Sequence, residues 1–148
     1  MYKDTVTIFN RYVDSFDNTI WYPHVISDAN FISDKAVITS KYGEVSGDKA
    51  VINVKYHIVD GTVMVGNKPY FSPKEWERQT NDQLPNSITF TSGNNFDFFI
   101  LGDYGSEEPI IDEDGRFFSN MQEEYDDVYA ITSATKYSII PHFEITGK

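Results

Sequence analysis

The chain has 148 residues, 40% of them hydrophobic, and a formal net charge of −11, which fits one domain and excludes wholesale disorder. It has no cysteine, so disulfide scaffolds, thiolate nucleophiles and cysteine-held zinc or iron–sulfur centres are ruled out. No run of 18 residues is free of charge, and Met1-Tyr2-Lys3-Asp4 offers neither a basic flank nor an apolar run, so neither a transmembrane helix nor a secretory signal is expected.

Valine, isoleucine and threonine together number 37, against 2 leucines and 5 alanines. Branched side chains lose rotamer freedom in a helix and suit a pleated surface, so the composition predicts a mainly β chain. A first strand is expected over Thr5–Val13, with Val6 and Ile8 on one face and Thr5, Thr7 and Phe9 on the other. The turn formers Asp14-Ser15-Phe16-Asp17-Asn18 lead into a second strand at Thr19, which Pro23 should end or confine to an edge. A third run spans Ala29–Thr39, and the loop signal Tyr42–Asp48 follows it. Next come Ala50–Val59, the hairpin dipeptide Asp60-Gly61 and Thr62–Val65.

One segment carries a helix start. Ser72 stands as N-cap, Pro73 where its missing donor costs nothing, and Glu75 completes a capping box. Two to three turns are expected, ending by Leu84 because Pro85 follows, with Trp76 as the anchor on the sheet. Further strands are expected at Ile88–Thr91, Phe96–Leu101, Val128–Ala134, Tyr137–Ile140 and His142–Thr146, with Pro141 forming a bulge or bend between the last two. The fold class is therefore a small β-barrel or sandwich of about eight short strands, with one short helix near 72–84.

The acidity is concentrated. Ten acids against Arg116 alone give residues 103–127 a charge of −9, so this segment reads as a long acidic loop or arm on a single domain spanning 1–148. Its apolar pairs, Ile110-Ile111 and Phe117-Phe118, have no place in a solvated linker. They either dock on a neighbouring subunit or tuck onto the chain's own core, and the sequence leaves both open.

Little points to catalysis. Asp112-Glu113-Asp114-Gly115 resembles a calcium loop, but no register puts acids and glycine at the required positions. His24, His57 and His142 are too scattered for a legible metal site, and single strand histidines are structural as a rule. No phosphate loop, dinucleotide fingerprint or nucleophile elbow is present. The 12 basic residues form no tract that would hold a phosphate backbone tightly. No enzyme activity, cofactor or metal is expected.

Several phrases resemble a family of small phage and prophage head-region proteins of Gram-positive bacteria. They are Thr7-Ile8-Phe9-Asn10-Arg11-Tyr12, Trp21-Tyr22-Pro23, Ser72-Pro73-Lys74-Glu75-Trp76 and the closing Ile140-Pro141-His142-Phe143-Glu144-Ile145-Thr146-Gly147-Lys148. The layout is also similar to head–tail connector (stopper, or head-completion) proteins, which are small β-barrels with a long loop. The resemblance implies a structural virion protein in the neck, forming a ring of copies of itself between portal or adaptor and tail terminator. DNA would pass through the channel without tight binding, and the subunit would lie in the host cytoplasm during assembly. Ile110, Ile111, Phe117, Phe118, His142, Phe143 and Glu144 are the expected partner-interface residues. The alternatives are a tail-completion protein, and a β-sandwich that binds carbohydrate or a host surface through exposed Tyr and Trp rings.

Overall fold

A computed structural model describes residues 2–33 and 49–148. The chain is mainly β, and its larger sheet is antiparallel throughout. Strands β1 (Asp4–Val13), β2 (Thr19–Ser33) and β3 (Ala50–Lys55) are followed by a small sheet of β4 (His57–Val59), β5 (Thr62–Val65) and β6 (Lys68–Pro69). Helix α1 (Pro73–Glu77) comes next, then β7 (Phe98–Leu101), β8 (Ile110–Asp112), helix α2 (Phe117–Glu124), β9 (Val128–Tyr137) and β10 (His142–Gly147). The large sheet has the order β1-β7-β9-β10-β3-β2-β8, and β1 also pairs with β2, so the sheet nearly closes into a barrel.

The first hairpin follows the residue chemistry closely. Asp14 accepts the backbone N–H groups of Phe16 and Asn18, both at 2.9 Å, and Asp17 takes the left-handed conformation that short polar side chains tolerate. Strand β2 does not stop at Pro23. Its other side carries β8 only at Thr19–Trp21 and β3 only at Ala29–Ser33. Among the described residues, Pro23 therefore lies in a stretch with a strand on the β1 side alone, where a missing donor is tolerated. The expected run Ala29–Thr39 begins as the end of β2; its remainder, and the loop at Tyr42–Asp48, lie outside the described residues. Asp60 and Gly61 have φ of 51° and 80°, the two positive values that a two-residue hairpin turn needs.

Four expectations are corrected. Helix α1 is a single turn or so, and a 3₁₀ turn at Leu84–Asn86 takes up the rest of the segment. Its capping box does not form: Ser72 Oγ donates to Glu75 Oε1 at 2.7 Å, and neither side chain reaches a backbone N–H. In Ile88–Thr91 the first three residues are buried, but the segment forms no strand and makes only one bridge, Tyr70 with Ile88. Side chains replace the ladder there: Thr89 N–H donates to Asn10 Oδ1, Asn10 Nδ2 donates to the Thr89 carbonyl, and Thr91 N–H donates to Asp97 Oδ2. Finally, Tyr137–Ile140 is no separate strand. β9 runs unbroken to Tyr137, Pro141 closes the turn into β10, and the register shift in this hairpin falls at Thr146/Gly147 instead.

Around β1 and β7 both faces of the barrel wall are covered. Val6, Ile8, Ile52, Phe99, Tyr129, Phe143 and Ile145 fill the interior. On the outside, Phe9, Trp21, Phe98 and Ile100 form a second cluster with Met121 of α2. Trp76 is 1% exposed, packs edge-on to Tyr22 and Tyr12, and donates its indole N–H to the Ser87 carbonyl at 3.2 Å. Both tryptophans are thus core residues.

Candidate interaction surface

The acidic segment is held on the barrel along its length. Gly102 N–H donates to the Thr5 carbonyl, Thr7 Oγ1 donates to the Gly102 carbonyl, and Tyr104 N–H donates back to Thr7 Oγ1. Glu107 Oε2 accepts the Val25 N–H at 2.8 Å and Lys68 Nζ at 3.0 Å. β8 then pairs with the start of β2. Asp112 ties this strand at two points, accepting from Trp21 Nε1 at 3.0 Å and from the Phe117 N–H at 3.2 Å. Phe117 packs against Phe9, Trp21 and Phe98, while Phe118 packs against Phe96 and Phe98.

The cause lies in β1 and β7. Their outward faces carry Phe9 and Phe98, stacked at 4.6 Å between ring centroids, and these need a cover. Burial of each large side chain contributes about 1.5–3 kcal/mol, enough to fold a segment whose charge opposes compaction. Of the two readings that the sequence left open, three of the four residues, Ile110, Phe117 and Phe118, follow the one in which they lie on the chain's own core, and Ile111 does not.

The seven expected interface residues therefore do not form one patch. Ile110, Phe117 and Phe118 join the outer cluster, and Phe143 is buried inside the barrel. His142 and Glu144 are half-buried on β10, between β9 and β3. Only Ile111 remains a large exposed apolar group, 65% accessible on β8.

The surface that sequence reasoning missed lies two residues before His142. All residues from Thr132 to Pro141 are exposed, and Ile139 and Ile140 in the β9–β10 turn are 97% and 72% accessible. The turn is firmly built beneath them. The Tyr137 and His142 rings stack at 4.9 Å, Tyr56 Oη donates to the Tyr137 carbonyl at 2.8 Å, and Lys136 lies 5.3 Å from the Tyr56 ring centroid. His142 Nδ1 donates to the Ile140 carbonyl at 2.6 Å. A shallow cavity of about 360 Å³ is lined by Lys136, Tyr137, Ile139, Ile140 and His142. β7 covers the outer side of β9 only at Val128–Ala130, so among the described residues Thr132–Tyr137 has a free strand edge. The sequence carried no clear signal for it, since Ile139 and Ile140 fit the strand expected at Tyr137–Ile140.

Two buried titratable groups lie elsewhere. His24 lies on β2 with Nδ1 2.8 Å from Lys68 Nζ, beside a cleft of about 410 Å³ that also includes Lys55 and His57. Burial, and then the Lys68 charge, hold this imidazole well below its ordinary range, so Lys68 donates to Nδ1 and the ring proton sits on Nε2. Asp97 is fully buried and accepts N–H groups from Asn10, Arg11 and Thr91. Burial pushes its carboxyl up to about 7 against the pull of those donors. Asp97 ties β1 to the Thr91 segment, and the His24–Lys68 contact ties β2 to β6. Among the described residues no group of three His, Asp or Glu side chains is placed to hold a metal ion, and no helix is long and apolar enough to cross a membrane.

No curated protein and no solved structure matches the chain. Its whole length, residues 1–148, matches the model of a family described as "Family of unknown function (DUF6751)", and the protein belongs to that family.

Proposed function

We propose that the protein is a structural subunit of a phage-like neck, a head–tail connector or head-completion protein that forms a ring between portal and tail. The observation that carries this reading is a pair of unlike exposed surfaces on a well-filled barrel. One is the apolar β9–β10 turn with its free strand edge, and the other is the acidic face around β8. A ring of identical subunits needs two different faces per copy, whereas a two-fold dimer needs only one. Carboxylates gathered in one segment also suit the wall of a DNA channel, because they repel phosphates and let the genome slide. The partners on this reading are copies of the chain, a portal or adaptor ring and a tail terminator, with the virion neck as the place of residence.

A carbohydrate-binding module is less well supported, since it would use exposed aromatic rings and both tryptophans are buried. Electron microscopy of assembled particles carrying a tagged chain tests the proposal. A ring of density at the head–tail junction is expected. A tag at the tail tip, or its absence from the particle, would overturn it, and a ring above the tail tube alone would make the protein a tail terminator.

A further inference from the structure

We infer that neighbouring copies join head to tail by strand addition, with the free edge of β9 pairing against the free edge of the next copy's β8. This rests on the ring reading above and names the contact that builds the ring.

Three features meet at these two places. Thr132–Tyr137 on β9 and Ile110–Asp112 on β8 each have a strand on one side only among the described residues. Unpaired backbone donors and acceptors along an edge are a template for another strand. Both edges are also flanked by exposed isoleucine: Ile139 and Ile140 beside β9, and Ile111 on β8. Charge then decides which edge takes which. From Val128 to Phe143 there is no carboxylate, only Lys136 and His142. The β8 edge lies among Asp112, Glu113 and Asp114, answered only by Arg116. Pairing β9 with β9 would bring two cationic tips together and leave both acidic edges unopposed. Pairing β9 with β8 satisfies both, and a contact between unlike faces closes into a ring when its rotation permits. Lys136 on the β9 edge guards the free subunit against indiscriminate strand pairing. The contact uses the acids next to β8 and leaves Glu123, Glu124 and Asp126 for the channel.

The absence of native cysteine gives a direct test. Full-length chains carrying Ile111→Cys together with Ser133→Cys, Ala134→Cys or Thr135→Cys are oxidised in concentrated solution and, separately, in assembled particles. At least one pair should give a ladder of dimer, trimer and larger species, since a disulfide needs the two Cα atoms within about 7 Å. A mixture of the two single variants should stop at dimers. Adding Lys136→Glu should weaken the ladder, and Glu113→Lys with Asp114→Lys should restore it. No ladder from any pair in either setting overturns the contact, as do dimers formed equally well by a β9 cysteine alone. A tagged ring at the neck without a ladder would leave the connector reading standing and remove this contact. A ladder from a chain absent from the neck would do the reverse.

Discussion

Replacing Asp97 by asparagine should remove a pH dependence from the stability of the barrel. The carboxyl is fully buried, and burial holds it at about 7 in the folded state against 3.8 for the ordinary group. A raised acid keeps its proton in the folded state while the unfolded chain has already lost it. Its contribution is therefore complete below pH 3.8 and is lost as pH rises toward 7. A difference of about three units corresponds to about 4 kcal/mol at 1.36 kcal/mol per unit. Asparagine has nearly the same size; its one acceptor oxygen can keep the Asn10 and Thr91 donors that share Oδ2, while its NH2 group then faces the Arg11 N–H, a cost that does not vary with pH. Urea unfolding of both proteins from pH 4 to pH 8 gives the comparison, and the difference between them cancels every other titrating group. The wild type should lose about 4 kcal/mol relative to Asp97→Asn across this range. A flat difference would mean that the three N–H donors outweigh burial and that Asp97 is ionised throughout, and the reasoning would fail.

The remaining predictions concern other parts of the wall. Replacing Phe117 and Phe118 by serine should destabilise the isolated chain by about 3 kcal/mol or more, because both rings cover Phe98, and a thermal melt will show it. Amide exchange in the isolated chain should be slow at those N–H groups of Ile110–Asp112 that face β2 and fast at those on the outer edge of β8. Gly147→Ala should be strongly destabilising, because an added Cβ would lie 2.6 Å from Tyr129 Cβ and 2.7 Å from a Phe99 ring carbon; an unchanged melting temperature would count against this packing. His24→Gln should flatten a stability loss below pH 6.5, because the folded imidazole refuses the proton that the unfolded chain accepts.

Much of the sheet was legible because it rests on local chemistry. Branched residues mark the strands, Asp14 and Asp60-Gly61 mark the turns, and Ser72-Pro73 marks a helix start. Two of the failures share a physical cause, which is that distant side chains took over a local role. Ile88–Thr91 looks like a strand, yet Asn10 and Asp97, far off in sequence, supply its hydrogen bonds. Asp97 itself sits in the aromatic run Phe96–Ile100, where an isolated acid is a sign of a buried polar contact. The acidic segment looked like an arm because charge density is visible in a sequence. The need of Phe9 and Phe98 for an outer cover is not visible until β1 and β7 are known to be neighbours. The candidate surface was hidden in a different way: Ile139 and Ile140 fitted an expected strand, and only an unbroken β9 places them in an exposed turn.

Net charge and local charge act on assembly in opposite directions, and distance separates them. At −11 per copy, two subunits repel as they approach. That repulsion is a long-range effect, and at physiological salt it is screened over about 8 Å. A docked strand pair works well inside that length, where Lys136 of one copy would meet Glu113 and Asp114 of the next with isoleucines closing over them. On the proposed ring contact, the same chain would stay apart in dilute solution and hold together once a template set copies side by side. The fold permits this division because the tip has no part in the core. Ile139 and Ile140 are outside all three buried clusters, so they can serve a partner without weakening the barrel that presents them.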